Sequence, residues 1–297
     1  MKKFVALLLA GTMALSLAAC GSSSSSSAPA ESADEAVSEA AGAAQETADA
    51  AATGAAAAEI TTVTPGELHM ATNAAFPPYE MTSDGEGYAT DAAGSVHFEG
   101  IDVEVAALIA EKLGLKLVID DMDFGSVITS VQSGRSDIAM AGLTVNEERK
   151  QNVDFTDSYA TGVQVVIVTE DSDIATAKDL ANGKMIGCQQ GTTGSIYCHE
   201  DYGDDHVADY TNGAMAIEAI KAGKVDAVVI DNEPAKQFVA VNDGLKILDT
   251  EYITEDYAIG VSKDNPALRD AINEALNEYI ADGTVQQIVD KHINAGE

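Results

Sequence analysis

Apolar positions change their spacing along the chain. From about Thr64 onward, "ELHMATN" (67–73) and "KLVID" (116–120) are short and apolar enough to read as strands. Between them "IDVEVAALIAEKLGL" puts Ile101, Val105, Leu108 and Ile109 on one face of a predicted helix. Two later stretches echo one another: "ITSVQSGRSDIAMAG" (128–142) and "IEAIKAGKVDAVVID" (217–231). Each predicts a helix, a glycine stop (Gly134, Gly223), an aspartate three residues on (Asp137, Asp226) and an apolar strand. Such strands, apolar on both faces, imply parallel sheets covered by helices.

The echo predicts an α/β chain of two similarly built lobes. Residues 64–160 and 256–297 form one lobe, and 161–255 the other. "DSYATGVQVVIV" crosses between them near Ser158 to Val163, and "TEDYAIGVSKDN" returns near Thr254 to Ile259. Two crossings make a hinge, a common design for closure around a ligand. The C-terminal stretch "NPALRDAINEALNEYIADGTVQQIVDKH" reads as two helices broken at Asp282-Gly283. The echoed strands end at Gly142 and Asp231, and in open α/β sheets ligands sit beyond such ends.

Residues 1–63 follow other rules. Lys2 and Lys3 precede an apolar run from Phe4 to Ala19, the pattern of a secretory signal. It ends in Leu17-Ala18-Ala19-Cys20, which looks like a lipobox, with Cys20 the residue to be lipidated and so to anchor the chain to a membrane. Residues 21–63 are rich in Ser, Ala and Glu. Up to Glu59 they hold no aromatic residue, Lys or Arg, so they bury too little to offset ordering and are expected to form a flexible tether.

The formal net charge of −33 excludes nucleic acid as a partner, because phosphate binding needs clustered Lys and Arg. It leaves a small ligand open, since one pocket can carry any local sign. No His/Cys cluster has metal-ligand spacing, and no cofactor is expected. Cys188 and Cys198 are expected on a strand and the helix after it, where either a disulfide or two buried thiols fits.

Four places carry candidate chemistry. Arg149 lies among Glu147, Glu148, Asp154 and Asp157, so it is either half of a surface ion pair or reserved for an incoming carboxylate. "AGLT" comes directly off a predicted strand end, which brings Thr144 and Arg149 to the cleft. "GCQQGTTGSIYC" runs from a strand through Gly191–Gly194 into a helix, as an anion-attracting amide cluster or an ordinary turn. Phe76-Pro77-Pro78-Tyr79 is a stiff aromatic turn, and Phe124 is a core residue or a cleft wall. Asp231 ends an apolar strand, as a helix N-cap or as a carboxylate held for a cation.

Together, "ATNAAFPPYEM", "GIDVEVAALIAEKLG", "DFGSVITSVQSGRSDIAMAGLTVNEERKQNVDFTDSY", "GCQQGTTGS" and "GKVDAVVIDNEPA" resemble the bacterial amino-acid-binding proteins of ABC importers, the solute-binding family 3. The resemblance covers Leu68 to His292 and implies a two-lobed, periplasmic-binding-protein-like fold of type II. It also implies a free amino acid in the cleft and delivery to the transmembrane subunits of an ABC permease. By the same resemblance, Arg149 clamps the α-carboxylate, with the amides of Thr144 and Thr193. Asp231 takes the α-ammonium with the Gly142 carbonyl and the Thr144 hydroxyl, next to Ala141. Phe76 and Phe124 bracket the side chain, and Asn73 and Gln189 face its far end. Some family members carry an acid at the Asn73 position. The amide here points to a neutral polar side chain before a cationic one. The insert "TSDGEGYATDAAGSVHFEG" after Met81 is longer than the family usually carries.

Two other functions compete. The same fold hosts dehydratases of cyclic amino acids, but a catalyst needs a free acid or base, and Asp231 is committed. A ligand-sensing surface lipoprotein would ordinarily carry a further signalling segment. The tether's composition gives a first prediction. A chain lacking residues 21–59 and Cys20 is expected to be soluble and to bind its ligand with unchanged affinity by calorimetry. A clear loss of affinity would make the segment part of the fold.

Overall fold

The computed structural model describes residues 60–249 and 251–294, so the signal segment, Cys20 and most of the tether lie outside the described residues. The chain runs through β1 (Glu67–Thr72), β2 (Ala75–Phe76), β3 (Glu80–Ser83), β4 (Ala89–Thr90), β5 (His97–Glu99) and α1 (Ile101–Lys112). It continues with β6 (Lys116–Asp121), α2 (Phe124–Gln132), β7 (Ile138–Ala139), α3 (Glu147–Lys150) and the long β8 (Val153–Thr169). Next come β9 (Ile186–Gln189), α4 (Thr193–Tyr202), β10 (Val207–Tyr210), α5 (Gly213–Lys221), β11 (Ala227–Asp231), α6 (Asn232–Ala240) and β12 (Leu245–Ile247). Strand β13 (Ile253–Ser262) returns, and α7 (Pro266–Ala281) and α8 (Thr284–Asn294) close the chain.

The architecture is α/β and two-lobed. Strand β1 pairs in parallel with β6 and β7, and β9 pairs in parallel with β10 and β11. Between these groups β8 and β13 pair antiparallel over most of β13's length, with bulges near Ala258. Strand β8 also pairs with β11 and β12, and β13 with β7. The two expected crossings are therefore these two strands, side by side. The insert after Met81 supplies β4 and β5, which extend the sheet beyond β6 and pair back to β3.

The sequence echo has a structural cause. Asp137 Oδ2 accepts from the His69 amide at 2.8 Å while the Asp137 amide donates to the His69 carbonyl at 2.8 Å. Asp226 repeats this with Met185, at 2.7 Å in both directions. Each aspartate thus fastens the end of a helix–glycine unit to the start of a neighbouring parallel strand. The glycine stops Gly134 and Gly223 take φ of 67° and 66°, which favours glycine after a helix. Asp137 also accepts from Val63 at 2.8 Å, and Asn265 donates to the Thr61 carbonyl at 2.8 Å, so the chain is tied to the body before residue 64.

Helix α1 buries Ile101, Val105 and Ile109 as its periodicity predicts, with Leu108 half-buried. Its core neighbours come from both chain ends: Leu68, Met70 and Ile119, then Leu268, Ile272, Leu276 and Ile288. The break between α7 and α8 falls at Gly283, φ 83°. Cys188 and Cys198 are free thiols, buried in a second core with Val166, Ile186 and Val229, so the thiol alternative is the one realised. Among the described residues no helix is long and apolar enough to cross a membrane.

Replacing Asp137 by Ala leaves the Val63 and His69 amides without their acceptor. With Asp137 buried, this is expected to cost ~1–3 kcal/mol by urea denaturation. Asp226 is exposed, so water can replace it, and Asp226→Ala is expected to cost less.

Candidate functional site

All ten residues singled out in the sequence line one cavity: Asn73, Phe76, Phe124, Ala141, Gly142, Thr144, Arg149, Gln189, Thr193 and Asp231. Glu80 and Thr192 complete its wall. The lining comes from the ends of β9 and β11, the turns after β1 and β7, strands β2 and β3, helix α3, and the first residues of α2 and α4.

Arg149 is not a surface ion pair. It is only 7% exposed and makes no salt bridge among the described residues. The neighbouring acids point elsewhere: Glu147 pairs with Lys150, and Asp154 with Lys263 and Arg269. Short helix α3, capped by Asn146 on the Arg149 amide at 2.8 Å, turns the side chain inward. Its Nη1 donates to the Thr144 carbonyl at 2.8 Å and its Nη2 to the Gly191 carbonyl at 3.2 Å. The guanidinium carbon lies 5.3 Å from the centre of the Phe124 ring, a cation–π contact. Burial pulls the Arg149 pKa down, and Glu255 and Asp231 oppose the shift.

Asp231 sits at the N-cap position of α6, yet its side chain caps nothing. Its Oδ1 instead accepts from the Tyr257 hydroxyl. Burial raises its pKa to about 6 despite that hydrogen bond. Tyr257 belongs to the crossing strand β13, is fully buried, and lies over Gly162 of β8, where any Cβ would meet its hydroxyl oxygen at 2.2 Å. Its ring stands edge-on to Tyr79, with centroids 5.3 Å apart, and Tyr79 stacks on Phe76 at 5.8 Å. One aromatic wall thus runs from the Phe76 turn to the Asp231 carboxylate.

Gly142 has φ 53°, and a Cβ there would meet Phe76 at 2.8 Å, so glycine is required for both conformation and space. Its amide donates to Asp102 Oδ2 at 2.8 Å. Thr193 is the first residue of α4, where amides have no intrahelical acceptor. Hydrogen bonds cross the cavity between β1–α3 and β9–α4. Gln189 Nε2 donates to Asn73 Oδ1 at 3.0 Å, Arg149 reaches Gly191, and the hydroxyls of Thr144 and Thr193 stand 3.4 Å apart.

Three functional candidates escaped sequence reasoning. Glu255, read only as part of a crossing strand, accepts from Thr193 at 2.8 Å, Gln164 at 2.9 Å, Tyr197 at 3.0 Å and Thr144 at 3.3 Å. Tyr257 shares that strand. Glu80 follows the aromatic turn directly and is 1% exposed, with no hydrogen-bond donor to either oxygen. The run "FPPYE" was the available signal, since a carboxylate fixed behind a rigid turn has little freedom to reach water.

The chain matches the family model described as "Bacterial extracellular solute-binding proteins, family 3" over residues 68–295. It is 30% identical to the arginine-binding extracellular protein ArtP of Bacillus subtilis, over 98% of each chain. Among solved structures it is similar to an ancestral arginine-binding protein bound to glutamine, with 37% identity, TM-score 0.69, and coverage of 79% of this chain and 100% of that one. It is also similar to a Streptococcus pneumoniae amino acid ABC transporter substrate-binding protein bound to L-arginine, with 28% identity, TM-score 0.70, and coverage of 78% and 96%.

The raised pKa of Asp231 gives a pH prediction. The stability it contributes is complete below the ordinary carboxylate value of 3.8 and is lost as pH rises through about 6. The melting temperature of the ligand-free protein is therefore expected to rise between about pH 7 and pH 5, and to rise less in Asp231→Asn. An identical pH dependence in both proteins would remove Asp231 as a source.

Proposed function

The chain belongs to the bacterial extracellular solute-binding proteins, family 3, and we propose that it is the amino-acid-binding component of an ABC importer, handing a free L-amino acid to a membrane permease. The carrying observation is Arg149, a buried guanidinium with no carboxylate partner among the described residues, lining the same cavity as the buried carboxylate of Asp231. A zwitterion answers both charges at once. Its α-carboxylate takes the two-pronged guanidinium and the free amide of Thr193, and its α-ammonium takes Asp231. Closure of the lobes over the ligand excludes water and strengthens both contacts. The lobes divide as 64–160 with 256–297 against 161–255, and the paired strands β8 and β13 serve as the hinge.

The far end of the cavity favours a side chain that donates hydrogen bonds. Asn73 Nδ2 is taken by the Met122 carbonyl at 2.9 Å, and its Oδ1 by Gln189. Both carboxyl oxygens of Glu80 are without a partner among the described residues, and Glu80 and Gln189 line the cavity together. A neutral polar side chain with an amide NH₂ fits them, and Phe76 and Phe124 bracket its stem. The glutamine and arginine in the two similar structures both carry such donors. Binding without reaction is the reading best supported, since Asp231 is spent on the ammonium and Glu255 on four donors. Leu17 to Cys20 supports a lipid anchor on the extracytoplasmic face of the membrane, the periplasmic side in a Gram-negative cell.

Losing one partner of a desolvated charge contact costs ~2–5 kcal/mol. Arg149→Ala and Asp231→Ala are each expected to weaken binding by roughly tenfold to several-thousandfold, with the fold intact by circular dichroism. Arg149→Lys is expected to fail largely, because a point charge lacks the paired geometry. A ligand amidated at its carboxylate should bind wild type poorly and lose little more in Arg149→Ala, since both changes remove the same contact. Independent, additive losses would instead assign Arg149 a structural role.

A further inference from the structure

Glu80 is a buried acid in a cavity already rich in acids. It is the first residue of β3 and lies beside Asp102 of α1, which is fully buried. Asp102 is well supplied with donors: Tyr159 OH reaches its Oδ1 at 2.8 Å, and the Gly142 amide its Oδ2 at 2.8 Å. Glu80 has no such donor, and the Asp102 amide, donating to the Tyr79 carbonyl at 2.9 Å, sets the two residues side by side. Carboxylates only accept hydrogen bonds, so a bond between two of them requires a proton. The group with donors keeps the charge, and the group without them keeps the proton. That assigns a neutral carboxylic acid to Glu80, donating to Asp102 and lining the ligand cavity with its remaining acceptor capacity.

The surroundings reinforce this. Glu80 is faced by Asp102 from α1, Asp121 from β6 and Asp231 from β11, with the hydroxyls of Tyr79 and Tyr159 nearby. Burial first, and these acids next, hold its pKa well above the usual carboxylate range. Arg149, the cation that lines the same cavity, is answered by the ligand carboxylate in the proposed reading. A neutral side chain therefore meets a neutral acceptor. A cationic side chain meets an uncompensated charge problem in a site that excludes water.

We propose that the Glu80–Asp102 pair holds one proton on Glu80 in the ligand-free protein and releases it to solvent when an amino acid with a cationic side chain enters, a step resting on the amino-acid-binding reading of the same cavity. One site then takes two classes of ligand in two protonation states. The O–H bond of Glu80 breaks, its electron pair stays on the carboxylate, and the incoming guanidinium or ammonium replaces the lost proton as counter-charge. Neutral amino acids bind without this exchange. Affinity for cationic ones then rises about tenfold per pH unit while Glu80 is protonated in the free protein.

The test is calorimetry with L-arginine and L-glutamine, in two buffers of different ionisation enthalpy at the same pH above about 7, where Asp231 is already ionised. The difference in apparent heat gives the protons released. The expected result is about one proton per arginine and about none per glutamine. Glu80→Gln, which preserves shape, is expected to abolish the release and the pH slope for arginine. Asp102→Asn removes the charge that keeps Glu80 protonated, so it is expected to reduce the release at the same pH. Arginine binding without proton release in wild type, release unchanged in Glu80→Gln, or glutamine binding with no arginine binding at any pH would each overturn the proposal while sparing the amino-acid-binding reading. Failure of every free amino acid to bind would overturn both.

Discussion

A guanidinium held out of water with no carboxylate paired to it among the described residues is the constraint around which this molecule is arranged. Removing a charge from water costs several kcal/mol unless partners repay it. Among the described residues, the Arg149 guanidinium has two carbonyls and an aromatic face. The chain is not short of acids that could have neutralised it, with 49 Asp and Glu against 16 Lys and Arg. Of those adjacent in sequence, Glu147 is held on Lys150, Asp154 on Lys263 and Arg269, and Asp157 on Asn273 and Asn277. The buried acid Glu255 takes four hydroxyl and amide donors. The protein maintains an unmet charge, and the cavity wall follows from the need to support it.

Asp231 is the counterpart, and it is positioned differently. Arg149 is presented by a one-turn helix leaving β7, whereas Asp231 ends a strand of the other parallel group. Its orientation is fixed by Tyr257, which belongs to neither group but to a crossing strand. The Asp231 carboxylate and the crossing strands are thus joined. The space for that joint is made by Gly162, whose missing side chain lets the tyrosine ring lie against β8.

Much of this was legible in the sequence, because it is encoded locally. The echo of helix, glycine and aspartate reports a repeated fastening of helix end to strand start. The ten cavity residues sit at strand ends or first turns, and periodicity locates such positions. Strand β7 is an exception: its apolar run continues to Ala141, yet only Ile138 and Ala139 pair, because Gly142 at φ 53° begins the turn that carries the site. Asp231 remained ambiguous, since an N-cap and a ligand carboxylate occupy the same place in a pattern. Glu80, Glu255 and Tyr257 stayed hidden because their partners lie far along the chain, from Asp102 for Glu80 to Thr144 for Glu255. Burial of a charged side chain is a property of the assembled fold and leaves no periodicity.

The core around α1 draws on Leu68 to Ile119 and on Leu268 to Ile288, and continues into residues between Val165 and Leu245, whereas the core holding Cys188 and Cys198 is built within Val166 to Leu248. This asymmetry sets an order of assembly. A chain emerging N-terminus first presents every element of the second group before β13, α7 and α8 have appeared. Loops within that group close over short separations, while the first group must wait for segments nearly the whole chain away. The half of the molecule that begins first therefore finishes last, with its apolar helix faces uncovered in the meantime. For a chain that matures outside the cytoplasm, that interval is when chaperones and proteases have their greatest access.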